Sequence, residues 1–220
     1  MILMDKMRGA LGAKQASLPA DVREAVDAWL ALPAVDESKA HFFVRHVSLD
    51  VATGGLRPGV DALKGIAAVG VQQGAVCGED VFVCDLSPTG NEETSRQLAA
   101  LLHFIGKAPL VTYHAAFVDA FLRRAFSEHL GLDFAPHWID LAWVLPEFFG
   151  SQAGGGRAML DDWLERFGID LPGRREALPD ALAVARLLLA AQSEAVQRGI
   201  DCPKKLREIE SHRRWLGREG

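Results

Sequence analysis

The 220-residue sequence lacks any apolar run long enough to cross a bilayer as a helix. Its nearest approach, Ala181–Ala191, is broken by Arg186 and falls short of the ~20 residues a membrane-spanning helix needs. No transmembrane helix is expected. A secretory leader is not expected either, because MILMDKMRGALGAKQASL interrupts its apolar residues with Asp5, Lys6, Arg8 and Lys14. Cysteine is scarce. Cys77, Cys84 and Cys202 stand at spacings that make neither a disulfide framework nor a zinc site, which points to a reduced, cytoplasmic protein. There is also no basic excess: 24 Lys and Arg face 29 Asp and Glu, for a net charge of −5. A sequence-independent nucleic-acid binder draws most of its affinity from a basic face, and the bulk charge gives no sign of one. An enzyme that grips a few phosphates in a cleft is still compatible with that balance. No internal repeat is visible. The glycine-rich Gly150–Gly156 (GSQAGGG) lacks the lysine and the strand–loop–helix setting of a phosphate-binding loop, so it reads as a flexible connection.

What is present describes a globular chain. Hydrophobic residues make up 49% and charged residues 24%, so the chain can build an ordinary core. At this length folding buries roughly 70% of the unfolded surface, and no disulfide or metal staple is required.

Three parts follow from the patterning. Residues 1–40 read as an N-terminal helical appendage. Within Leu18–Leu32, Val22, Val26, Trp29 and Leu30 recur at helical spacing, with Ser17 as candidate cap, Pro19 near the first turn and Pro33 as the stop. That helix either packs on the main domain or docks a partner. Residues 41–198 form the main domain. His41–Leu49, Ile66–Val71 and Val81–Cys84 read as strands, with Gln72–Gly74 in the turn between the second and third. A helix begins at Asn91, Pro109–Thr112 is a short buried strand, and helices fit Ala115–Phe126, Leu141–Phe149, Leu160–Phe167 and Ala177–Gln197. Three strands followed by helix, strand and helix describe an α/β fold with a mixed central sheet flanked by helices. Residues 199–220 read as a polar C-terminal tail. Lys204, Lys205, Arg207, Arg213 and Arg214 alternate with Glu208 and Glu210, as in a solvated helix or a weak nucleic-acid contact.

Four acids stand near element ends: Asp50, Asp119, Asp140 and Asp180. Acids at strand ends and on adjoining helices converge on one cleft in two-metal phosphoryl-transfer sites. Asp140 is also placed as a helix N-cap, and Asp119 as a surface acid favoured by a helix dipole.

Residues 42–198 resemble the DnaQ-like (DEDDh) 3′–5′ exonucleases, relatives of the proofreading subunit of bacterial DNA polymerase III. The family's strand ending in Asp-x-Glu-Thr-Thr-Gly is matched by DVATGG at Asp50–Gly55. Its His-Asn-Ala-Ala-Phe-Asp-x-x-Phe-Leu helix is matched by YHAAFVDAFL at Tyr113–Leu122, and its His-x-Ala-x-x-Asp-Ala motif by REALPDA at Arg175–Ala181. The resemblance implies a ribonuclease H-like fold, four carboxylates holding two metal ions, and a histidine as general base.

Carried over position by position, Asp50 and Asp180 match the family's metal ligands. Ala52 stands at the glutamate position, Val118 at the second-motif aspartate and Arg175 at the histidine, so three of five functional positions are substituted. The connection from the third strand to the Asn91 helix is also shorter than the family's. Asp119 lies one residue beyond the missing acid, which rotates it about 100° around the helix. A one-residue slip pairs His114 and Asp119 with the family's His and Asp, but Phe117, Phe121 and Leu122 keep the family register without it. Two divalent ions about 4 Å apart repel by roughly 17 kcal/mol at an effective dielectric near 20, which two carboxylates do not offset. A two-metal site is therefore not expected, and a single weakly held Mg²⁺ or Mn²⁺ between Asp50 and Asp180 is the remaining metal reading. Arg175 reads as a solvated side chain or as a forked phosphate donor, and His114 as a structural histidine or a ligand contact. Tyr113, Trp138, Trp143 and Trp163 read as packing residues rather than base-stacking platforms.

The expectation from these residues is an exonuclease-fold protein with a degenerate metal site that acts by binding nucleic acid or a protein partner. The alternative is an active metal-dependent 3′–5′ exonuclease using Asp50, Asp180 and either Asp119 or Asp140.

Overall fold

The computed structural model describes residues 14–87, 90–150, 158–172 and 176–216. Five strands form one sheet: β1 (His46–Thr53), β2 (Leu63–Gln72), β3 (Ala75–Asp85), β4 (Leu110–Thr112) and β5 (Trp138–Asp140), in the order β3-β2-β1-β4-β5. β1, β2 and β3 pair antiparallel, whereas β4 and β5 run parallel to β1. The helices are α1 (Ala20–Ala31), α2 (Asn91–Ile105), α3 (Ala115–Leu130), α4 (Leu141–Phe149), α5 (Leu160–Phe167), α6 (Ala177–Gln197) and α7 (Pro203–Leu216). This is the mixed sheet with flanking helices expected of a ribonuclease H-like α/β fold.

Alternation along β1 sorts its residues between two cores. Val47, Leu49 and Val51 join α2 and α3 on one face. The intervening His46, Ser48, Asp50 and Ala52 therefore turn toward the other face, where α6 lies. β2 reads as nearly continuous apolar sequence because both of its faces are covered. Ile66 and Ala68 pack with the α2–α3 layer, while Ala67, Val69 and Val71 pack with α4, α5 and α6. The hairpin between β2 and β3 needs only two residues. Gln73 and Gly74 both take positive φ, +55° and +73°, the twist that suits a two-residue hairpin. Small residues on α6, among them Ala181, Ala185 and Ala191, are fully buried and let the helix lie close on the sheet.

The helix read in Leu18–Leu32 is α1, and it packs: Val22 and Val26 enter the α2–α3 core, and the Trp29 indole N–H donates to the Gly106 carbonyl at 2.6 Å. Two local expectations are corrected. Pro19, not Ser17, is the N-cap of α1, and the Ser17 hydroxyl donates to the Lys14 carbonyl instead. Leu30 is half exposed rather than in the core.

The strand expected over His41–Leu49 starts later, at His46, because His41–Phe43 forms a 3-10 turn. The His41 N–H donates to the Asp201 carbonyl at 2.8 Å, which pulls this segment off the sheet line. β1 also runs on past Asp50 to Thr53, with Asp50 opposite Ala67 and Ala52 opposite Gly65, so Asp50 does not close the strand.

The tail expected to be solvated is held down. Cys202, Leu206 and Glu210 are buried, and α7 packs against α4 and β5. The side chains of Arg213 and Arg214, and residues 151–157 of the glycine-rich connection, lie outside the described residues.

Candidate functional site

The start of α6 lies against β1. The Ser48 hydroxyl, two residues before Asp50 on the same face, donates to the Ala181 carbonyl at 2.9 Å. Ala181 follows Asp180 in the first turn of α6, and both acids are half-buried. Ala52 and Val118, set against the family's acids by the resemblance, offer no metal-ligating atom. Ala52, half-buried beyond Asp50 on the same face, is a methyl group. Val118 is 1% exposed and packs in the same core as Val47, Leu49 and Val51. Arg175 lies outside the described residues.

Asp119 points elsewhere. Its carboxylate accepts from the Trp138 indole N–H at 2.7 Å and from Arg123 Nε at 2.5 Å. Trp138 belongs to β5, two strands from β1 in the sheet, which is about 10 Å at ordinary strand spacing.

Asp140 is the N-cap of α4, and it does more than cap. It is 2% exposed, and its carboxylate accepts three backbone N–H groups: His114 at 2.9 Å, Ala115 at 3.0 Å and Ala142 at 3.0 Å. One side chain thus caps α3 and α4 together, drawing on the helix N-terminal donors that lack intrahelical partners.

His114 itself sits in the left-handed region, with φ 65° and ψ 61°, at the entry to α3. Its ring meets Tyr113 edge-on at 4.7 Å, and the Tyr113 hydroxyl donates to the Ala158 carbonyl at 2.6 Å. Tyr113 and Trp163 are buried packing residues, whereas Trp138 and Trp143 are half-buried.

Sequence reading did not find Glu210, whose Oε2 accepts the Asp140 backbone N–H at 3.2 Å. Nothing local signals it, since 70 residues separate the pair.

Ala52 offers only a methyl group and Val118 a buried isopropyl, and no group of three or more His, Cys, Asp or Glu among the described residues is arranged to hold a metal. Nor is any helix among the described residues long and apolar enough to cross a membrane.

Neither a family model nor a curated protein matches the chain. Solved structures do. An exonuclease I structure, reported as suggesting how processivity is achieved, superposes with a TM-score of 0.59 at 16% identity, over 77% of this chain and 44% of that one. The fold is shared with exonuclease I. The zinc-bound E. coli exonuclease I complex with single-stranded DNA gives a TM-score of 0.57 at 17% identity, over 69% of this chain and 41% of that one. A complex of exonuclease I with SSB-Ct gives 0.56 at 17% identity, over 77% and 44%. The chain therefore spans less than half the length of these structural neighbours.

Proposed function

We propose that this chain is a DnaQ-like exonuclease-fold protein that binds single-stranded nucleic acid near Asp50, Asp180 and His114 without carrying out two-metal hydrolysis. One observation carries the reading: two of the four positions that would hold metal ions are Ala52 and the core residue Val118. Two-metal catalysis needs carboxylates on both sides of the ion pair to offset its charge, and two acids leave it strongly positive. The fold supports a nucleic-acid ligand, because E. coli exonuclease I of the same fold is seen bound to single-stranded DNA. A protein partner is the other ligand class, and the SSB-Ct complex of exonuclease I keeps it in view.

A second reading, residual exonuclease activity with one Mg²⁺ or Mn²⁺ on Asp50 and Asp180, is supported by the hydrogen bond from Ser48 on β1 to Ala181 on α6, the neighbours of those two acids. The test uses a fluorescein-labelled single-stranded oligonucleotide with and without Mn²⁺, followed by anisotropy and by release of mononucleotides. Saturable binding with no release, in the parent chain and in Asp50→Ala, is the expected result. Mn²⁺-dependent release abolished by Asp50→Ala would establish the second reading instead. Absence of binding to any oligonucleotide would turn the search to protein partners. Ala52→Glu is the restoring substitution of choice, since position 52 is half-buried, whereas an acid at Val118 would be forced into the core.

A further inference from the structure

We propose that Glu210 is a positioning residue: through Asp140 it sets the backbone turn at His114 that opens α3, and so makes the C-terminal helix part of the frame of the candidate site. β5 is the edge strand of the sheet, so the outward N–H of Asp140 has no further strand to pair with. Glu210, 5% exposed on α7, takes that N–H at 3.2 Å and stands in for the missing strand. Asp140 is thereby held from behind while its carboxylate reaches forward to the N–H groups of His114, Ala115 and Ala142. The forward bonds matter because His114 is a non-glycine residue at φ 65°. A left-handed conformation of that kind costs roughly 1 kcal/mol or more and persists only where neighbours over-determine it. Two consecutive N–H groups gripped by one carboxylate do so, and their aim depends on where the Asp140 backbone is fixed.

The same geometry explains why the acid on α7 is buried. Glu208, two residues earlier, is exposed, as an ordinary surface acid is. Glu210 is sequestered against β5, where a carboxylate is costly unless it accepts hydrogen bonds.

The functional weight of this relay rests on the nucleic-acid reading above, but its existence is measured without any ligand. Backbone amide exchange is followed by NMR in the full chain, in Glu210→Ala, in Glu210→Gln and in the control Glu208→Ala. In Glu210→Ala, exchange at His114 and Ala115 should accelerate by about tenfold, the scale of one lost hydrogen bond, while the α6 core amides of Leu187 and Leu188 hold within about twofold. Glu210→Gln keeps a side-chain oxygen acceptor and should restore protection, and Glu208→Ala should match the parent. Unchanged exchange at His114 and Ala115 in Glu210→Ala would overturn the relay. So would equal acceleration throughout α6, which marks general destabilisation, or a Gln variant as fast as the Ala variant. Titration with the labelled oligonucleotide then separates the two ideas. Faster exchange at His114 with unchanged affinity leaves the relay standing and removes His114 from the nucleic-acid reading; faster exchange with weaker binding supports both.

Discussion

At the residue scale, the most constrained ionisable groups lie away from the candidate site, at the start of β1. His41 and His46 are buried with ring nitrogens 3.4 Å apart, and His46 Nδ1 lies 3.0 Å from the Val44 carbonyl. A carbonyl only accepts, so His46 carries its proton on Nδ1, and its Nε2 faces His41 Nδ1 and the Gln192 amide, 3.4 Å from each. Two charged rings at that distance would repel, and burial disfavours a charge on either one. Burial pushes both down to about 4, helped for His46 by the neighbouring His41 and opposed for His41 by its hydrogen bond to the Ile200 backbone and then by the Asp201 carboxylate. The folded protein thus resists protons that the unfolded chain takes up near pH 6.5. Stability is full above that pH, falls as pH drops from about 6.5 toward about 4, and stops responding to these groups below it. The loss from either ring alone is roughly 3 kcal/mol at the low end, and the coupled pair does not simply double it. Urea unfolding at pH 7, 6 and 5 checks this. The midpoint should fall with pH in the parent chain, and His46→Asn should flatten the dependence even though it lowers stability at pH 7. A parent midpoint that ignores pH over this range would refute the neutral pair.

At the element scale, α7 separates pattern from packing. Its alternating charges read as a solvated tail, yet Leu206 is fully buried with the α4–α6 core. Leu206→Ala should therefore cost about 3 kcal/mol, as for other buried leucines, and urea unfolding measures it directly. A cost below about 0.5 kcal/mol is what a solvated helix would give. Helices with a long apolar period were legible: the spans read for α4, α5 and α6 coincide with those observed, because an amphipathic stripe and its stop signals are local properties. The start of β1 was not legible, since the turn at His41 is set by the carbonyl of Asp201 from the far end of the domain. The candidate site divides the same way. Asp140 was visible as a cap for the helix that follows it, because capping is local. Its grip on His114 and Ala115, and the support from Glu210, depend on β4, β5 and α7 meeting in space. No spacing within one segment encodes that meeting.

At the scale of the whole molecule, the question is how a chain with net charge −5 would hold a polyanion. Many of its cations are already committed. Among the described residues, Arg57 pairs with Asp61, Arg96 with Asp21, Arg123 with Asp119, Arg124 with Glu128 and Arg207 with Glu37. Such pairs contribute little stability each, but they remove guanidinium groups from the pool that could meet phosphates without breaking a contact. Binding to single-stranded nucleic acid should then neutralise only about two or three phosphates. For single strands the slope of log affinity against log salt is about −0.7 per phosphate, so the expected slope is about −2, a loss of roughly fifteenfold between 50 and 200 mM salt. A protein with a dedicated basic face loses about a thousandfold or more over that range. Anisotropy titrations of the labelled oligonucleotide at four salt concentrations measure the slope. A value steeper than about −4 would point to a broad cationic surface, and the binding mode proposed near Asp50, Asp180 and His114 would fall with it.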